Sequence, residues 1–103
     1  MNSNKTTPLS DFLLKAIEMG ASGLEIEYKD GYEEICAMSD NMGFGIGRLE
    51  SSSEEATLLR EELYKILSKK KKTFAIAGKK YLVRVKTFDS FGEEAFNVSI
   101  GES

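Results

Sequence analysis

Between Phe12 and Glu27 the chain reads FLLKAIEMGASGLEIE, and its hydrophobic period changes from helical to alternating across Met19-Gly20-Ala21-Ser22-Gly23. Upstream, Leu9, Phe12, Leu13, Ala16 and Ile17 fall at i, i+3, i+4, i+7 and i+8, the apolar stripe of an amphipathic helix. Thr7-Pro8 marks its start, with threonine as cap and proline at the first helical position, where a missing N–H costs nothing. Downstream, Leu24, Ile26 and Tyr28 alternate with Glu25, Glu27 and Lys29, which predicts a half-buried strand. Gly20 can end the helix in a left-handed conformation, and the small Ala21 and Ser22 let the chain double back closely. The strand is therefore expected to lie beneath the helix that precedes it, which commits the chain to a layer of helix on sheet.

The remainder extends that layer. Asp30-Gly31 is a strong two-residue hairpin signal, and such a loop sets Ile26 opposite Ile35, Leu24 opposite Ala37 and Glu27 opposite Glu34. Met42 to Leu49 is a third strand weakened by three glycines. Ser52 with Glu55, or Ser51 with Glu54, offers a capping box for a second helix. Its buried stripe is Ala56, Leu59, Leu63, Ile66 and Leu67. Phe74 and Ile76 open another strand. A type II′ turn at Gly78-Lys79 would pair Ile76 with Tyr81 and Phe74 with Val83. A four-residue loop, Asp89 to Gly92, would set Val85 opposite Phe96, Val83 opposite Val98 and Tyr81 opposite Ile100. The expected order is helix, three strands, helix, three strands: an α+β two-layer fold with a mostly antiparallel sheet and two amphipathic helices. Residues 1–6 are polar and expected to be a disordered tail, leaving residues 7–103 as a single domain.

Composition excludes several functions. A chain of 103 residues is one domain by length and buries roughly two-thirds of its unfolded surface, enough for one modest core. Its net charge of −3 argues against general nucleic-acid binding. One cysteine, Cys36, excludes an internal disulfide framework and fits a reducing compartment. The first apolar run, Leu9 to Ile17, is interrupted by Ser10, Asp11 and Lys15, so no secretory leader is expected. No apolar run approaches the ~20 residues of a membrane span, and a cytoplasmic location is the expectation.

The chain has no histidine. It therefore offers no thiol–imidazole or serine–imidazole pair and no His/Cys metal set, and neither enzymatic activity, cofactor nor metal is expected. Gly43-Phe44-Gly45-Ile46-Gly47 has the wrong spacing for either nucleotide-binding glycine fingerprint and reads as a flexible or closely approached strand. Cys36, among Ile35, Ala37 and Met38, reads as a small buried hydrophobe. Glu33-Glu34, Glu54-Glu55 and Glu61-Glu62 read as solvated surface.

The distinctive feature is basic. From Lys69 to Lys86 there are seven lysines and one arginine with no acidic residue. Lys69 to Lys72 complement the dipole at a helix C-terminus. Lys80, Arg84 and Lys86 alternate with Tyr81, Val83 and Val85, so they share the outward face of a strand with Leu82. Ala75 and Ala77 on one side, and Ala95 and Asn97 on the other, would make a floor of small residues. Three cations on such a floor could receive an acidic partner segment or a phosphate, which makes Lys80, Arg84 and Lys86 the candidate partner-binding residues.

The sequence Ala21-Ser22-Gly23-Leu24-Glu25-Ile26-Glu27, preceded by its amphipathic helix, resembles the N-terminal domain of type II secretion and type IV pilus ATPases. Leu13-Leu14, Ala16, Gly20, Ala21, Ser22, Leu24 and Ile26 match that family's pattern, whereas Gly23 and Glu25 replace its Asp and His. Near the end, Leu82 to Phe88 resembles a family strand at Arg84, Val85 and Phe88, with Leu82 and Lys86 departing. The family's Arg-Ile-Asp-Gly strand ending is replaced by Ser39 to Gly43. No Gly-x-x-x-x-Gly-Lys-Ser/Thr occurs, so the motor's phosphate cradle does not carry over. The resemblance implies a PAS-like fold and a domain that packs against neighbouring subunits. The expected function is a non-enzymatic interaction or regulatory module acting by self-association or partner docking. A PAS-like small-ligand sensor, or an anion or nucleic-acid binder using the basic face, stays open as an alternative.

Overall fold

The computed structural model describes residues 6–102; of the tail expected at residues 1–6, all but Thr6 lies outside them. Helix α1 (Pro8–Glu18) begins as the sequence indicates. The Thr7 side chain accepts from the Ser10 N–H at 3.2 Å, and the Ser10 hydroxyl oxygen accepts from the Thr7 N–H at 3.0 Å, so each satisfies an otherwise orphaned donor. The helix stops where Gly20 takes φ +76°. Gly20 and Ala21 return N–H bonds to the carbonyls of Ile17 and Ala16, which closes the last turn.

Three strands follow, β1 (Gly23–Lys29), β2 (Tyr32–Ser39) and β3 (Met42–Glu50), then helix α2 (Glu54–Lys69) and strands β4 (Lys71–Ile76), β5 (Lys79–Ser90) and β6 (Glu93–Glu102). All six strands form one antiparallel sheet in the order β3-β2-β1-β6-β5-β4. The first and last strands are thus central neighbours, with Leu24 beside Val98 and Ile26 beside Phe96. Both helices pack on one face. Leu9 and Leu13 of α1, and Leu59, Leu63 and Ile66 of α2, meet Leu24, Ile26, Ile35, Val83 and Val98 of the sheet in a single core.

The first hairpin has the expected register, Ile26 with Ile35 and Leu24 with Ala37. The last two do not. The β4–β5 turn is Ala77-Gly78, so Phe74 pairs with Tyr81 and Ile76 with Lys79. The β5–β6 turn is Phe91-Gly92, so Val85 pairs with Val98, Val83 with Ile100 and Tyr81 with Glu102. Both turns have positive φ at both central residues, 52° and 81° in one, 52° and 84° in the other. This is the two-residue geometry whose twist matches the flanking strands. Glycine occupies the second turn position in each case, and the residue before it accepts the first left-handed position. Each correction moves a partner by two residues, so no side chain changes face.

The second helix is capped differently from expectation. Ser53 is the N-cap, accepting from the Ala56 N–H at 3.1 Å. Ser51 is thereby released for another task. Lys71 and Lys72 likewise leave the helix end for β4, because Lys70 turns the chain at φ +74°. The Gly-rich β3 is closely approached at Gly47, where a Cβ would meet the Phe12 ring at 2.5 Å, but is open at Gly45, where nothing lies within 4 Å. Ile46 is the extra residue of a bulge, since Ile35 pairs with Gly47 and Cys36 with Gly45.

Glu33 is not solvated surface. It stands on the core face of β2 between the first turn and α2, only 6% exposed. The Ser51 hydroxyl donates to its Oε2 at 2.8 Å and Arg60 Nη1 donates to the same oxygen at 3.1 Å. Arg60 Nη2 also donates to the Ser51 carbonyl at 3.1 Å, and the Ser51 N–H bonds the Gly31 carbonyl. Hydrophobic periodicity alone does not reveal this clamp, which ties the first hairpin to the entrance of α2. Replacing Arg60 by methionine strands the carboxylate with Ser51 as its remaining side-chain donor and is expected to cost about 1–3 kcal/mol. Adding Glu33→Gln should recover part of that loss, so urea unfolding of the two single variants and the double variant should be non-additive.

Candidate functional site

Because both helices lie on one side of the sheet, the opposite face has no covering layer among the described residues. Alternation places Glu25 and Glu27 of β1, Glu34, Cys36 and Met38 of β2, Asn97 and Ser99 of β6, and Lys80, Leu82, Arg84 and Lys86 of β5 on that face. The three cations expected to act together therefore do share one face, and all three are exposed. Their surroundings differ in detail from expectation. Lys80 lies beside Ala75, Arg84 between Lys71 and Ser99, and Lys86 beside Asn97. Ala77 sits in the turn rather than on the strand, and Ala95 is buried opposite Phe88. The floor is thus Thr73, Ala75, Asn97, Ser99 and Gly101. Lys71, expected at a helix end, joins the group as a fourth cation. None of the four takes part in an ion pair formed among the described residues.

The other half of the same face is acidic. Glu25, Glu27 and Glu34 surround Cys36, which is half-exposed on the open face rather than in the core. Its neighbours Ile35 and Ala37 take the inward positions, and a strand can turn only alternate residues inward. Partial burial, and then the carboxylates of Glu34, Glu27 and Glu25, push the thiol above its ordinary pKa. This disfavours the thiolate, the form a nucleophile or metal ligand requires. Arg48 lies 3.8 Å from Glu34 and stacks over the Tyr32 ring at 3.9 Å, neutralising only part of the acidic half.

On the other side of the sheet, leucine, isoleucine and valine side chains fill the space between sheet and helices, where a small ligand would otherwise lie. The surface carries open grooves, such as one of about 500 Å³ lined by Glu34, Ile35, Cys36, Gly45, Gly47 and Arg48. Among the described residues no group of three or more His, Cys, Asp or Glu side chains is placed to hold a metal ion, and no helix is long and apolar enough to cross a membrane.

No protein-family model matches the chain, and no curated protein matches it. At Gly23 any Cβ would lie under 3.0 Å from the Val98 carbonyl oxygen. The absence of a side chain at that position thus has a steric reason.

Proposed function

We propose that the protein is a non-enzymatic interaction module whose open sheet face docks an acidic protein surface through Lys71, Lys80, Arg84 and Lys86. The observation that carries this reading is that these exposed cations, which form no ion pair among the described residues, stand over a floor of small residues on the face that neither helix covers. Exposed charges in this arrangement steer an oppositely charged partner and set its orientation, while small neighbours let the partner approach the backbone. Similarity to the N-terminal domains of secretion ATPases, and with it a PAS-like arrangement, belongs to the same reading. It is supported by the order of elements and by the Gly20-Ala21-Ser22 join.

A labelled poly-glutamate peptide tests the docking surface directly. Fluorescence anisotropy should show binding at low salt that weakens as salt rises, because exposed charge pairs are screened. The K80E/R84E/K86E variant should bind at least about tenfold more weakly. Its fold should persist, since surface substitutions of this kind shift stability by under ~0.5 kcal/mol each. Equal binding by wild type and variant, or none by either, overturns the proposal.

A further inference from the structure

We infer that the acidic surface received by the β5 cations is that of a second copy of this chain, in a two-fold dimer packed open face to open face. The inference rests on the docking reading above and names its partner. Lys86, Asn97 and Glu25 stand on one ladder row, since β5 pairs Lys86 with Asn97 and β1 pairs Glu25 with that same Asn97. Cys36 and Gly45 continue the row on β2 and β3. Reading along it, a cation and an anion flank β6 at equal distances of one strand.

A two-fold axis running along β6, in the plane between two facing sheets, exchanges the positions on either side of that strand. It therefore sets Glu25 of each copy against Lys86 of the other, twice, from a single symmetry operation. The next row gives the same result by shape. Arg84, Ser99 and Gly23 are in register there, so each Arg84 would face the other copy's Gly23, which has no side chain to obstruct it. Glu25 is the next outward residue along β1 from that position, roughly 7 Å away at the strand's rise per residue. Facing sheets stack about 10 Å apart, a gap that extended lysine and glutamate side chains bridge. Lys86 on one side of β6 and Glu25 on the other are thus complementary between the two copies. A separate acidic partner would leave Glu25 and Glu27 facing its own carboxylates wherever its surface extended past β6, a repulsion that the reciprocal arrangement removes.

Sedimentation velocity of the full chain at low and moderate salt, with three charge variants, tests this. Wild type should sediment as a dimer that weakens with salt. E25K and K86E should each dimerise at least about tenfold more weakly, since like charges then meet twice across the axis. The swap E25K/K86E should restore dimerisation, an outcome that a loss of fold in either single variant cannot produce. Circular dichroism checks that each variant is folded. A wild type that stays monomeric at low salt overturns the inference, as does a dimer indifferent to the single changes or a swap that fails to restore it. The poly-glutamate titration then separates the two ideas. A monomer that binds the peptide through β5 leaves the docking surface standing without self-association, and a monomer that ignores the peptide removes both.

Discussion

Val85→Asp is expected to unfold the domain, whereas Lys86→Asp, one residue along β5, should leave it folded. Val85 is 3% exposed and lies opposite Val98, itself 1% exposed, in the layer where α2 meets the sheet. A carboxylate at that position has no cation or donor to meet it. Burying an unpaired charge costs several kcal/mol, or forces the group to take up a proton. Domains of this class have only about 5–15 kcal/mol of stability to lose. Lys86 points the other way, is exposed, and neighbours Asn97. Far-UV circular dichroism and thermal melts of the two variants decide the matter. Greater damage from Lys86→Asp would mean that β5 presents the opposite face to the helices.

The second large effect concerns Gly23, where β1 meets β6. An added Cβ would lie under 3.0 Å from the Val98 carbonyl oxygen, and 3.4 and 3.5 Å from the Val98 carbonyl carbon and the Ser99 Cα. These are backbone atoms of the adjacent central strand, so no rotamer change relieves the overlap. The two strands must separate, and the Leu24–Val98 and Ile26–Phe96 pairs separate with them. Gly23→Ala should therefore cost about 1–3 kcal/mol, the usual range for overpacking. For a domain of this length each kcal/mol lowers Tm by about 4–8 °C. Gly45→Ala is the matched control. Nothing lies within 4 Å of a Cβ there, so it should be near neutral. Equal melting temperatures for the two variants would refute the tight β1–β6 approach.

Between α1 and β1 the chain reverses over Gly20, Ala21 and Ser22. The join is a packing device whatever its ancestry: Gly20 reverses the chain, and Ser22 ties it to the sheet by bonding the Met38 carbonyl and accepting from the Ile100 N–H. That second bond reaches the last strand of the chain. No inspection of Ala21-Ser22-Gly23 by itself reveals why position 23 has no side chain.

Cys36 and Glu33 show how far local pattern carries a reading of the site. They lie three residues apart on β2; composition points to core for Cys36 and surface for Glu33, and the structure has the reverse. Composition was the misleading guide: a thiol among aliphatic residues and a glutamate beside another glutamate. Strict alternation from Ile35 would have placed both correctly. It would not have shown that Arg60 and Ser51 meet Glu33, because those partners come from α2 and the loop that enters it.

Local residue patterns suffice for the identity and order of the eight elements, the ends of α1, the first hairpin, and which residues of most strands face the helices. These depend on periods of 3.6 and 2 and on a few capping and turn residues, all of them local. The tertiary structure alone decided that β1 and β6 are neighbours, that the last two hairpins turn on Ala77-Gly78 and Phe91-Gly92, and that Glu25 shares a ladder row with Lys86. Facing is a matter of parity, and a register shift of two preserves it. Partner and register depend instead on contacts between distant segments and on left-handed turn positions that alanine and phenylalanine adopt only because the paired strands hold them there.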